Sequence, residues 1–200
     1  MKSTILLSLI LAVCLSSCQL LSDISGSTTS TRTPAPSSPA PSEPTGDVYA
    51  ATKFKIAGPS NAVAYVEKYK YIAVSESHRV NMPASIKLAQ GILESGYGSS
   101  TLATKANNHF GIKCGMGWSG PTMSYKGSCY RKFTSGMDAY KEHSDFLVNG
   151  DRYDFLFKLK RNDYKGWAKG LKKAGYATNP SYPAKVIELV ERYKLYNYDK

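Results

Sequence analysis

The segment LAQGILESGYGSS, Leu88–Ser100, decides how this 200-residue chain is read. Upstream of it, Pro83 is placed as a first-turn proline, where a missing N–H costs nothing. The helix it opens sets Ile86, Ala89 and Leu93 on one face and stops at Gly96. Glu94 therefore falls in the last turn. A carboxylate there faces the negative end of the helix dipole, unfavourable by roughly 0.3–1 kcal/mol. The same field raises the carboxyl pKa, and partial burial adds to the shift. A carboxyl that keeps its proton near neutral pH is what a glycosidase general acid requires. The glycines after it let a ligand approach the backbone closely. A helix-end glutamate that is merely solvated, or paired with a lysine, is the plain alternative. These residues alone do not choose between the two.

Working outward, the periodicity is helical. Ala62, Tyr65, Val66, Tyr69, Ile72 and Ala73 recur at three and four residues, one face of a helix. A short helix is expected around Ser100–Lys105, and longer ones near Met137–Val148, Tyr164–Ala174 and Pro183–Tyr193. Residues 106–134 differ: rich in Gly and aromatics and without helical period, they predict a small hairpin lobe. The expected fold is mainly α with a small β-hairpin lobe, over residues 54–200. Trp167, inside YKGWAKGLKKAGY, reads as core. Lys169, Lys172 and Lys173 in the same stretch form a basic face, solvated by default.

The N-terminus has another character. Lys2 followed by the apolar run Ile5–Leu15 is too short for a membrane span of about 20 residues and reads as an export signal over 1–17. Leu15-Ser16-Ser17-Cys18 then resembles the lipobox of bacterial lipoproteins, which implies that Cys18 carries lipid at the membrane. Gln19 is compatible with delivery to the periplasmic face of the outer membrane. From Ser25 to Gly46 every residue except Arg32 and Glu43 is Ser, Thr, Pro, Ala or Gly. Residues 18–53 thus read as an anchor and a disordered leash, with nothing apolar enough to bury.

Composition excludes several classes. At 42% hydrophobic and 20% charged the chain is an ordinary globular one, not collagenous, wholly disordered or multi-span. The net charge of +11 favours polyanionic partners. An export signal argues against nucleic acid and for cell-wall glycopeptide or an anionic membrane face. With Cys14 removed and Cys18 lipidated, Cys114 and Cys129 form one pair in an oxidising compartment. Their disulfide would close a loop of about 15 residues, worth roughly 3 kcal/mol in the chain-entropy account. Metal is disfavoured, because His78, His109 and His143 are scattered and no C-x2-C spacing occurs. No cofactor is implied.

Three ordered strings carry a wider resemblance: Ala84–Gln90 with Leu93-Glu94-Ser95-Gly96-Tyr97-Gly98, then Asn107–Cys114 (NNHFGIKC), then Gly175–Tyr182 (GYATNPSY). Together they resemble the endo-β-N-acetylglucosaminidases of glycoside hydrolase family 73, across about Val63–Tyr193. The resemblance implies a lysozyme-like α-domain with a β-lobe across a cleft, and hydrolysis of peptidoglycan β-1,4 bonds after N-acetylglucosamine. By position it gives Glu94 the acid role and Tyr176 the place of an active-site tyrosine.

One departure matters. Between Glu94 and Asp138 there is no Asp or Glu, and Ser128 falls near where a second acid is expected. Three routes follow: assistance by the substrate's N-acetyl group, an acid from elsewhere (Asp138, Glu142 or Glu76), or a domain that binds wall glycan and cleaves it poorly. Cleavage of a stem-peptide amide is a further rival. Candidate sugar contacts are Tyr97, Trp118 and Tyr182 by ring face, and Asn107 and Asn108 by amide, one of that pair being a turn residue. His109 joins them as a possible base, though a structural histidine is the first reading. Phe110 reads as lobe packing. The protein is expected to act as a monomer.

Overall fold

The computed structural model describes residues 60–115 and 117–200. The export signal, Cys18, the leash and residues 54–59 lie outside the described residues. Among the described residues no helix is long and apolar enough to cross a membrane.

Helix α1 (Ser60–Val80) turns Ala62, Tyr65, Val66, Tyr69 and Ala73 inward, the face that the spacing predicts. Ile72 is only half-buried. Helix α2 (Ala84–Ser95) lies in the core and is buried on nearly every side, with Ser85, Lys87 and Gln90 among its enclosed residues. All its residues are buried except Leu93 and Glu94. Pro83 is its N-cap rather than its first helical residue, and supplies no side-chain cap. The other end of the chain does so instead. Asp199 accepts from Ser85 N at 2.8 Å and Ser85 Oγ at 2.6 Å, placing a carboxylate at the positive end of the helix dipole. Burial raises this carboxyl to about 7, partly offset by the Ser85 bonds.

Gly91 allows α2 to meet its neighbours. A Cβ there would lie 2.5 Å from Tyr65 Oη and 2.6 Å from Tyr140 Oη. Alanine is favoured over glycine in helices by about 1 kcal/mol, but overpacking typically costs 1–3 kcal/mol. Gly91→Ala is therefore expected to lower stability by up to about 2 kcal/mol in urea unfolding. A stabilised variant would contradict this packing.

Gly96 ends α2 in the left-handed conformation, φ 55°. Ser95 Oγ donates to Gly91 O and accepts from Gly98 N at 2.7 Å, closing the turn that follows. Helix α3 (Thr101–Ala106) starts at the Ser100 cap. The lobe is a two-stranded antiparallel hairpin, β1 (Thr122–Tyr125) and β2 (Ser128–Arg131), with Thr122 opposite Arg131 and Tyr125 opposite Ser128. Lys126 and Gly127 make its two-residue turn, both with positive φ, which matches strand twist. Cys114 and Cys129 are disulfide-bonded across the lobe.

Helix α4 (Gly136–Val148) opens with a capping box, Ser135 with Asp138. A 3₁₀ helix (Asp151–Lys158), α5 (Tyr164–Lys173), α6 (Tyr182–Arg192) and a last 3₁₀ turn (Leu195–Tyr198) complete the domain. Neither 3₁₀ segment is legible in the sequence. Trp167 is fully buried and meets Phe157 edge to face at 5.2 Å.

Candidate active site

The exposed end of the buried helix α2 sets the site. Burial of the rest of α2 leaves Leu93 and Glu94 to face a cleft of about 860 Å³. Its walls are the lobe (Phe110–Lys113, Tyr130, Arg131), α4 with the following 3₁₀ helix (His143, Phe146, Arg152, Tyr153), and residues 176–179 with Tyr182 and Lys185 of α6. Glu94 is the one carboxylate among these lining residues.

The Glu94 residue is exposed to the cleft, yet the protein around it displaces enough water that desolvation raises its carboxyl pKa. Among the described residues no cation and no hydrogen-bond donor offsets that shift. The same carboxylate adds to the burial that holds the phenols of Tyr176 and Tyr182 above their ordinary range. Tyr182 is fixed by Gln90 Nε2, which donates to its hydroxyl at 2.9 Å. Tyr176 Oη lies 3.1 Å from His143 Nε2.

The alternative acids are engaged elsewhere. Asp138 accepts from Ser135 N and Oγ in the α4 capping box. Glu142 is ion-paired with Arg131. Glu76 is buried and held by Arg79 at 2.6 Å. None of the three lines the cleft.

Of the residues singled out from the sequence, the cleft brings together Glu94, Tyr176 and Tyr182, with Phe110 in its wall. Tyr97, Asn107 and His109 instead line a second recess of about 440 Å³ beside α1. There Tyr69 and Tyr65 bond both ring nitrogens of His109, at 2.9 and 3.2 Å, and burial lowers its pKa to about 4. It is a neutral histidine fastened between two helical tyrosines. Asn107 caps α3 with a left-handed backbone and donates to Phe133 O and Thr134 O, both at 3.0 Å. Asn108 is buried. Its amide donates to Ile112 O (2.9 Å) and Arg131 O (2.8 Å) and accepts from Ile112 N (2.9 Å). The expectation of amides free for sugar is thereby corrected for Asn108: its hydrogen-bonding capacity ties the lobe to the helices. Trp118 lies outside the cleft lining, under the Arg131 guanidinium at 4.6 Å, with Nε1 donating to Pro121 O at 3.1 Å. Phe110 packs as expected, stacked on His143 at 4.1 Å.

The cleft also contains residues that sequence reasoning missed. Lys113, Arg131, Arg152 and Lys185 give it a cationic lining. Lys87 and His143 stand behind Tyr176, both fully buried. A lysine inside the apolar run SIKLAQGIL was the available signal for the first; nothing in the sequence marks the second.

A mainly helical domain with a hairpin lobe beside a cleft, and one unpartnered carboxyl in that cleft, defines the lysozyme-like class. Comparison with known proteins narrows it. Residues 70–195 match the glucosaminidase family, described as mannosyl-glycoprotein endo-beta-N-acetylglucosaminidase, and the chain belongs to that family. The exo-glucosaminidase LytG of Bacillus subtilis is 36% identical over 129 residues, covering 58% of this chain and 46% of that protein. The catalytic domain of the autolysin Auto from Listeria monocytogenes superposes with a TM-score of 0.61 at 25% identity, over 71% of this chain and 89% of that one. A peptidoglycan hydrolase from Sphingomonas sp. A1 gives 0.60 at 27% identity, over 68% and 91%. The chain spans about half the length of the curated relatives it matches.

Proposed function

We propose that this protein is a peptidoglycan hydrolase that cleaves β-1,4 bonds at N-acetylglucosamine, with Glu94 as the general acid. The observation that carries the reading is the Glu94 carboxyl. It alone among the carboxylates of the described residues lines the cleft, and desolvation favours its protonated form. Tyr176 and Tyr182 orient the sugar beside it. The cationic lining suits the carboxylates that stem peptides place along an otherwise neutral glycan.

With one carboxyl in the cleft, the mechanism we favour uses the substrate's own N-acetyl group. Its carbonyl oxygen attacks the anomeric carbon while Glu94 gives its proton to the bridging oxygen, and the leaving sugar departs as an alcohol. Water then opens the oxazolinium and returns a proton to Glu94. The engaged states of Asp138, Glu142 and Glu76 support this route over a second protein acid. Digestion of purified sacculi is expected to release reducing ends. Release of amino groups instead would replace this reading with a stem-peptide amidase, and wall binding without any products would leave only a wall-binding module.

The proposal extends to placement. Cys18 carries the lipid, the protein is a monomer on a leash, and it works at the periplasmic face of the outer membrane. Palmitate labelling is expected in the parent protein and lost in Cys18→Ala; labelling that survives the substitution would contradict the anchor.

A further inference from the structure

Behind the cleft lies a chain of buried polar groups. Lys87, in the middle of α2, has no exposed surface, and neither does His143 on α4. Lys87 Nζ lies 2.9 Å from Tyr140 O, 2.6 Å from Ser144 Oγ and 3.4 Å from His143 Nδ1. An ammonium has three donors and no acceptor, and three acceptors surround this one. His143 Nδ1 must then accept, so the ring proton sits on Nε2. That nitrogen is 3.1 Å from Tyr176 Oη. An N–H there donates, the phenol oxygen accepts, and the phenol keeps its own proton for another acceptor. Among the described residues Tyr176 Oη has no other hydrogen-bond partner, and Tyr176 lines the cleft. Ring packing holds the geometry. Phe110 stacks on the imidazole with planes 10° apart, and Tyr176 meets the imidazole edge to face, at 88°.

We propose that Lys87 and His143 are positioning residues that act through Tyr176: the hydrogen bonds from Lys87 to His143 and from His143 to Tyr176 fix the tyrosine hydroxyl as a donor into the cleft. The inference rests on the cleft being the glycan-cleaving site. A cation buried without a carboxylate in contact is costly, and the relay gives that cation a task. A donor aimed into the cleft suits the N-acetyl carbonyl or ring oxygens of a sugar. Reversed, with the imidazole accepting from the phenol, the cleft would receive only an oxygen lone pair.

Burial lowers the Lys87 ammonium to about 7 and Arg79 lowers it too, against the pull of Glu76 and Asp145. Burial and the Lys87 charge together keep His143 neutral. At pH 6 the ammonium is therefore present and the imidazole uncharged.

Two measurements test the relay. The first is ¹⁵N NMR of the histidine rings in the intact wild-type protein at pH 6. The Nε2–H tautomer of His143 is expected, and the Nδ1–H tautomer would overturn the proposal. The second is a double-mutant cycle on glycan cleavage. Lys87→Met and Tyr176→Phe are each expected to lower kcat about two- to tenfold, the worth of one hydrogen bond. Lys87→Met should have no further effect in the Tyr176→Phe background. Effects that simply multiply would mean that Lys87 is only structural, and would overturn the proposal. The NMR result needs no variant to fold and no turnover. A wild-type protein with the expected tautomer but no cleavage would thus reject the glycosidase reading, and with it the role of the relay, while leaving its geometry intact.

Discussion

Glu94→Gln is expected to lower the rate of glycan-strand cleavage by roughly 10²–10⁴-fold, the usual worth of a general acid, and to leave the fold intact. The substitution is isosteric and removes only the acidic proton. Among the described residues the carboxyl has no ion pair or hydrogen bond to lose. Sacculus binding should persist in a pull-down while release of reducing ends stops. Retention of more than a tenth of the parent rate would remove Glu94 from the acid role. The pH dependence has a definite sign. The acid must be protonated, so the parent rate falls as pH rises through the raised Glu94 pKa.

Stability moves the same way. A carboxyl whose folded pKa lies above its unfolded one binds protons more tightly in the native state. Parent stability then declines from the ordinary carboxyl pKa up to the raised value, and the full penalty holds above it. Glu94→Gln removes that penalty. Unfolding in urea at pH 4 and pH 7 should show the variant gaining on the parent at the higher pH. A variant that is less stable at pH 7 would mean that the carboxylate has a structural partner.

The largest expected effect on stability is at Trp167. Truncation to alanine is expected to cost about 3–5 kcal/mol, which for a domain of this size lowers Tm by about 10–20 °C. The indole is fully enclosed, packed edge to face on Phe157 and carried on α5 against α6. It therefore supports the wall that presents Tyr182 and Lys185 to the cleft. Trp167→Phe fills part of the cavity and should recover part of the loss. A thermal melt of Trp167→Ala within about 3 °C of the parent would show that this corner of the core is loosely packed.

Much of the helical framework is legible because it depends on local rules. The period of α1, the stop at Gly96, the short helix near Ser100 and the placement of α4, α5 and α6 each follow from residues close in sequence. The last-turn position of Glu94 belongs to the same set, and the pairing of Cys114 with Cys129 is also expected. The 3₁₀ segments are not legible, since short tight helices carry little period. The α2 cap is hidden for a different reason: its carboxylate, Asp199, comes from 114 residues away.

Which of the other candidate side chains are free for a ligand belongs to the tertiary structure alone. Asn107, Asn108 and His109 look like ligand groups in a linear string, but the packing of lobe on helices satisfies them with backbone carbonyls and tyrosine hydroxyls. Lys87 and His143 are 56 residues apart, and neither shows a local pattern that predicts their meeting behind Tyr176. Sequence by itself determined the helices, the lobe and the one carboxyl at a helix end, because near-neighbour spacing encodes them. Only the fold decided which polar groups are consumed by structure and which are left to face a substrate, because that depends on partners brought together from distant parts of the chain.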